Sequence, residues 1–160
     1  MDQQETEFVD RMGLVMERFG GTRTMGRLYA WLMICDPVHQ SLTDLAAQLD
    51  VSKTAISTVA RQLEGTGMIE RVPTSSREHR YQVAGGGWAH VMGVQLAGVR
   101  SSLEALDFGL SVVGEGRLEQ RARLEETREF FAFVERDAGE FLQRWQDYRE
   151  KSGEEDQSGK

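Results

Sequence analysis

SLTDLAAQLDVSKTAISTVARQLEGTGMIERV, residues 41–72, is the stretch whose reading decides the fold. It opens on Ser41, whose hydroxyl can accept from the backbone N–H three residues on while Asp44 reaches back, a reciprocal cap that starts a short helix over 44–49. Asp50 and Val51 leave room only for a tight connection before Ser52, a second residue suited to cap a helix. Behind that cap Ile56, Val59 or Ala60, and Leu63 mark one buried stripe on a helix running to about Gly65. Two short helices joined by a turn, the second with polar residues at its N-terminal end, form the pattern of a helix-turn-helix.

The flanks complete the pattern. Gly67 permits the positive φ that a helix end often needs, and Met68 to Val72 reads as a short strand. Pro73-Thr74-Ser75-Ser76 is a turn, and after Arg77-Glu78-His79-Arg80 the chain returns through Tyr81-Gln82-Val83, a hairpin with a basic tip placed as the wing of a winged helix. On the N-terminal side, Phe8, Met12, Val15 and Phe19 predict an amphipathic helix over about 5–19, ended by Gly20 and Gly21. Thr22 or Thr24 can cap the next helix, whose run Leu28, Tyr29, Trp31, Leu32 and Ile34 is apolar on most sides and stops at Asp36-Pro37.

Beyond the wing, Gly85-Gly86-Gly87 breaks regular structure, and Met92, Leu96, Val99, Leu103, Leu106 and Leu110 predict a long amphipathic helix from Trp88. Gly114 and Gly116 precede a last helix over about 118–151 with a heptad seam of Leu124, Thr127, Phe131, Val134, Ala138, Phe141, Trp145 and Tyr148, suited to packing along another helix of this chain or of a second copy. The expected organisation is a dimerisation helix at 1–21, a winged helix-turn-helix domain at 22–84, a helical dimerisation region at 88–151 and a disordered tail at 152–160. The fold class is mainly α with a small β-hairpin wing.

Composition sets the exclusions. The chain has 160 residues, 39% of them hydrophobic and 28% charged, with no apolar run long enough to cross a bilayer. Residues 1–10 are acidic and lead to no cleavage site, so the expected location is the cytoplasm of a bacterial or archaeal cell, with no membrane partner. One cysteine, Cys35, supports neither a disulfide framework nor a thiolate metal site; Cys35 and His39 would be half a metal site with no second pair nearby. No nucleophile with a positioned base, paired carboxylate scaffold or phosphate-binding glycine loop is visible, so no enzyme, cofactor or metal is expected. Formal charge is −7, yet Ser52 to Arg80 carries Lys53, Arg61, Arg71, Arg77 and Arg80 against Glu64, Glu70 and Glu78, a local net of +2 inside an acidic body.

A helix entering the major groove presents short polar or basic side chains from its first turns, where they reach base edges and phosphates. Ser52, Lys53, Thr54, Ser57, Thr58 and Arg61 are so spaced. Ser52 and Lys53 suit phosphate, Thr54, Ser57 and Thr58 suit bases, and Arg61 suits either. Against this, Ser52 can be a helix cap alone, and Ser57 and Thr58 an indifferent solvent face.

Taken in order, Arg23-Thr24-Met25-Gly26-Arg27-Leu28-Tyr29, Leu45-Ala46 to Val51-Ser52-Lys53, Ala55-Ile56-Ser57 to Leu63-Glu64-Gly65-Thr66-Gly67-Met68-Ile69 and Arg77-Glu78-His79-Arg80-Tyr81 resemble the MarR-type winged-helix transcription regulators, most closely their GbsR-like branch. The resemblance implies a homodimeric regulator of double-stranded DNA, expected to be a repressor on a pseudo-palindromic operator and modulated by a small effector. It implies a wing arginine in the minor groove, for which Arg77 is the best placed, with His79 and Arg80 as further contacts. Arg77 as a loop-tip cation, Arg80 paired with Glu78 or Glu70, and His79 as a neutral surface residue are the plainer readings. An aromatic box for a quaternary ammonium ion is implied for some GbsR-like members, but Phe8, Phe19, Tyr29, Trp31, Trp88, Phe130, Phe131 and Trp145 are better read as core, so no effector residue is assigned. The alternatives are a winged helix used only for protein contact and a thiol sensor through Cys35; beside Asp36, however, that thiol reads as buried and structural.

Overall fold

The computed structural model describes residues 1–73 and 79–158, with side chains as far as Ser152. Two compact units divide the chain, Met1–Val91 and Met92–Lys160.

The first unit begins with α1 (Gln3–Arg18), capped reciprocally by Asp2 and Glu5, and α2 (Arg23–Ile34), capped by Thr22, whose Oγ1 accepts from Met25 N at 3.2 Å. These helices cross with almost nothing between them. A methyl group on Gly26 would lie 2.4 Å from the Met12 carbonyl oxygen and 2.7 Å from Gly13 Cα, so two glycines permit the approach. α2 ends at Cys35, whose backbone is extended before Pro37.

β1 (Gln40–Ser41) then leads into α3 (Leu42–Leu49). Ser41 Oγ accepts from Asp44 N at 3.1 Å and Asp44 Oδ2 accepts from Ser41 N at 3.2 Å, the cap read from the sequence. Asp50 takes the left-handed conformation at φ 52° and turns the chain into α4 (Lys53–Gly65), with Ser52 as its cap. Gly67 at φ 68° releases the chain into β2 (Ile69–Val72), which pairs antiparallel with β3 (Arg80–Val83). The sheet has three strands in the order β1-β3-β2, all antiparallel, with Ser41 opposite Arg80 and Arg71 opposite Tyr81. The sequence predicted only the hairpin. β1 is two residues long and exists by pairing with residues some forty positions away, which no local pattern registers.

The core of this unit joins Val9 and Met16 of α1, Leu28, Tyr29 and Leu32 of α2, Leu45 and Leu49 of α3, Ile56, Ala60 and Leu63 of α4, and Ile69 and Tyr81 of the sheet. Full burial of a side chain such as Ile56 or Leu63 contributes about 1.5–3 kcal/mol.

α5 spans Gly87–Val112 and α6 Leu118–Ser158. In the second unit they run antiparallel: Gly109 faces Leu124, Asp107 pairs with Arg128 at 2.5 Å, Arg100 with Glu135 at 3.5 Å, and Gly93 faces Leu142. Arg121 of α6 donates to the carbonyls of Leu110 and Val113, satisfying acceptors that the end of α5 leaves open. The helical backbone of α6 runs on to Ser158, where the sequence reading ended it at Lys151 and expected disorder from 152. Once a long helix exists, each added residue gains a bond at little further cost, and residues 152–158 hold one glycine and no proline to stop it.

Candidate nucleic-acid interface

α4 is oriented by what it buries. Ile56, Ala60 and Leu63 have no exposed surface, and the same helical period turns positions 54, 58 and 61 outward; Lys53, three residues before Ile56, is the first residue of the helix. Lys53, Thr54, Thr58 and Arg61 are exposed and Ser57 is half-buried. The helix therefore presents three of the polar residues singled out in the sequence, Thr54, Thr58 and Arg61, on one solvent-facing side, with Lys53 exposed at its N-terminal end.

Local bonds organise that side. Ser52 Oγ accepts from Ala55 N at 3.2 Å, so the residue is a helix cap; it is also exposed, and its hydroxyl hydrogen remains available to an acceptor. Lys53 Nζ donates to Thr43 Oγ1 at 2.9 Å, bringing an exposed threonine of α3 onto the same surface. Sequence reasoning missed Thr43, because the turn that brings it beside Lys53 leaves no mark in the local pattern. Thr58 Oγ1 donates to Thr54 O at 3.1 Å and Arg61 Nε to Ser57 O at 3.3 Å, which lays both side chains back along the helix. The first turn of α4 holds no acidic residue, so its unpaired N–H groups and Lys53 together favour an anion there.

The wing residues divide. His79 is exposed just before β3. Arg80 is half-buried on the middle strand, opposite Ser41 and Val72, with Nη1 3.5 Å from His39 Nδ1. Glu70, considered as its partner, accepts from Gln82 Nε2 at 2.7 Å. Arg77 and Glu78 lie outside the described residues. At the base of the wing Arg71 sits 5.8 Å above the Tyr81 ring and pairs with Glu64 of α4 at 3.0 Å. Tyr81 first and Glu64 second push the Arg71 pKa up, so this cation is held by the scaffold.

Comparison with known proteins joins this geometry to a family. Residues 37–76 match the MarR family model, and residues 86–148 match that of MmpR5-like MarR family transcriptional regulators. The HTH-type transcriptional regulator MmpR5 of Mycobacterium tuberculosis is 33% identical over 151 residues, covering 94% of this chain and 90% of its own length. The chain belongs to the MarR family of transcriptional regulators. A crystal structure of a transcriptional regulator, 32% identical, shares its fold at a TM-score of 0.72, covering 90% of this chain and 99% of that one.

In this MarR-family chain the aromatic residues do not form one core. Tyr29 and Trp31 are buried in the first unit, where Trp88 makes edge contacts with Phe19 at 5.2 Å and Tyr29 at 6.1 Å. On α6, by contrast, Phe130 and Trp145, expected in the core, are each more than 40% exposed, as are Phe133, Phe141 and Tyr148. Cys35 is 6% exposed with Sγ 3.7 Å from Leu32 O; burial pushes its thiol pKa up, and the charge of Asp36 adds to the shift. Among the described residues no helix is long and apolar enough to cross a membrane, and no group of three or more His, Cys, Asp or Glu is gathered to hold a metal.

Proposed function

We propose that this regulator acts as a cytoplasmic homodimer that reads a pseudo-palindromic operator with α4 in the major groove and Arg77 of the wing in the adjacent minor groove, repressing transcription until a small effector alters the dimer. The observation that carries the reading is the sidedness of α4: a buried stripe at Ile56, Ala60 and Leu63 faces away from exposed Thr54, Thr58 and Arg61, with Lys53 exposed at the start of the helix. Ser52, Lys53 and Thr43 would take phosphate, Thr54, Ser57 and Thr58 bases, and Arg61 either; His79 and Arg80 would flank the wing contact. The protein acts by binding and carries out no reaction.

The exposed aromatics of α6 support the dimer, since large apolar side chains left in solvent along one helix suit an interaction surface. Within it we place the dimerisation region at 88–151; α1, whose stripe at Val9 and Met16 packs within its own chain, would contribute its outer side chains such as Leu14. Kinship with the GbsR-like branch rests on the Arg23 to Tyr29 segment, alongside the MmpR5-like match of the helical region. A thiol-sensing role has no support in a cysteine whose pKa is pushed up by burial.

Fluorescence anisotropy tests the proposal, using the duplex most enriched by the wild-type protein from a random library and a scrambled control across a salt series. Saturable binding by a dimer that prefers the enriched duplex, with K53A, R61A and R77A each weakening it and lowering the salt slope by about one, is expected. Failure to enrich any duplex at low salt overturns the proposal in favour of a winged helix used for protein contact.

A further inference from the structure

Arg27 of α2 joins α1 to the end of α3. Its Nε lies 2.9 Å from Asp10 Oδ1 of α1, an ion-pair distance with the N–H poorly aimed, and its Nη1 donates at 3.1 Å to the carbonyl of Leu49. Leu49 is the last residue of α3, and the next residue, Asp50, is the left-handed turn that delivers the chain into α4. A helix end leaves its last carbonyls without intrahelical partners. Here one of them is held by a cation whose other contact is on a different helix.

The surroundings make that link stiff. The Arg27 stem lies over Gly13, where a methyl group would stand 3.1 Å from its Cγ, and the Gly13–Gly26 crossing leaves α1 and α2 no slack. The Arg27 side chain is about one-fifth exposed and the Asp10 side chain less than half, so the pair is partly shielded from water. Arg27 reaches the turn through the backbone of Leu49, which is itself fully buried.

We propose that Arg27 is a positioning residue for DNA reading: through the Asp10–Arg27–Leu49 bridge it fixes the turn, and with it the angle of α4, relative to α1. This rests on the DNA-reading proposal above and adds how the recognition helix is aimed. Affinity for matched sequence depends on that angle, because base contacts fail when a helix is misaimed, whereas contacts to the uniform phosphate backbone tolerate it.

The test uses the full-length chain and the duplex enriched by the wild type, with R27M, R27K, D10N and the D10N/R27M double variant, each checked by thermal melting. R27M is expected to bind the enriched duplex about tenfold more weakly, while scrambled-duplex affinity and the salt slope stay at wild-type values. R27K, which cannot span both partners at once, falls close to R27M, and D10N/R27M is no weaker than R27M because both act through one bridge. Without DNA, hydrogen exchange at Asp50 and Val51 in R27M is expected to be faster, with α2 unchanged. Equal loss on both duplexes with a lower salt slope would make Arg27 a direct phosphate contact and overturn the assignment. So would unchanged affinity and unchanged exchange in a folded R27M. If the wild type enriches no duplex, the DNA reading falls and this assignment with it; if it enriches one that R27M binds equally well, only this assignment falls.

Discussion

Replacing Gly26 with alanine puts the α1–α2 crossing to a quantitative test. A methyl carbon built there lies 2.4 Å from Met12 O, 2.7 Å from Gly13 Cα and 2.7 Å from Met16 Cβ, whereas ordinary contacts are about 3.5–4 Å. Two of those three atoms are backbone, so no side chain can swing away and α1 itself must retreat by about 1 Å, a gap that forfeits roughly a quarter to a half of each contact well it opens. The helix carries Val9 and Met16 into the core at 0% and 4% exposure, each contributing about 1.5–3 kcal/mol of burial. Partial loss at both, added to the clash, costs about 2–4 kcal/mol. Alanine in a helix returns about 1 kcal/mol over glycine, so G26A should be destabilised by about 1–3 kcal/mol. The assay is urea unfolding at fixed protein concentration, because a dimer's midpoint moves with concentration. Gly139 is the control: it sits in α6 with nothing within 4 Å of a built methyl group, and G139A should gain roughly 0.5–1 kcal/mol. A G26A midpoint at or above wild type refutes the close crossing; equal losses in G26A and G139A show that removal of a helical glycine, and not the crossing, is what matters.

Three further outcomes are expected. S52A removes the α4 cap and should cost about 1 kcal/mol of stability, while S52D keeps the cap but weakens DNA binding by repelling phosphate; if S52D binds DNA as well as wild type, Ser52 is a cap alone. The hydrogen bond from Arg128, with its charge, holds the Asp107 carboxyl below its ordinary range, so the pair stabilises the fold above that range and the benefit is lost as pH falls through the depressed value; D107N should flatten this acid limb at low salt, and an unchanged acid limb in D107N would refute the pairing. W145D, placed in the exposed aromatic band of α6, should shift the protein toward monomer in sedimentation equilibrium and weaken operator binding, whereas a dimer of unchanged stability would move the interface off this band.

What could be read from the sequence was whatever is specified within a few residues. The Ser41/Asp44 cap, Ser52, the stripe at Ile56, Ala60 and Leu63 and the positive φ of Gly67 are local chemistry, and each stands where the pattern put it. β1 was missed because Gln40 and Ser41 become a strand only beside Tyr81 and Arg80. Thr43 and Arg27 were missed as partners of Lys53 and Leu49 for the same reason: their bonds cross a turn or join separate helices. Phe130 and Trp145 of α6, expected in the core, are exposed for a different reason. Helical spacing says that Phe141, Trp145 and Tyr148 share a side, but it cannot say whether the surface that covers them belongs to the same chain.

A total charge of −7 and a DNA-reading role are reconciled by where the charges are committed. Arg71 is held by Tyr81 and Glu64, Arg27 by Asp10 and Leu49 O, Arg100 and Arg128 by carboxylates of the α5–α6 pair, and Arg121 by the end of α5, so these cations serve the scaffold. Lys53 at the positive end of α4 and Arg61 on its outer side are exposed, Lys53 on a hydroxyl and Arg61 on a backbone carbonyl, and among the described residues no acid pairs with either. With so few cations on that side, non-specific attraction to phosphate must be weak and its salt slope shallow. Discrimination then has to come from base contacts made by short side chains such as Thr54 and Thr58, which reach only if α4 is held at one angle. That places the demand on the turn at Asp50, on the helix end behind it at Leu49, and on whatever keeps the two fixed to α1.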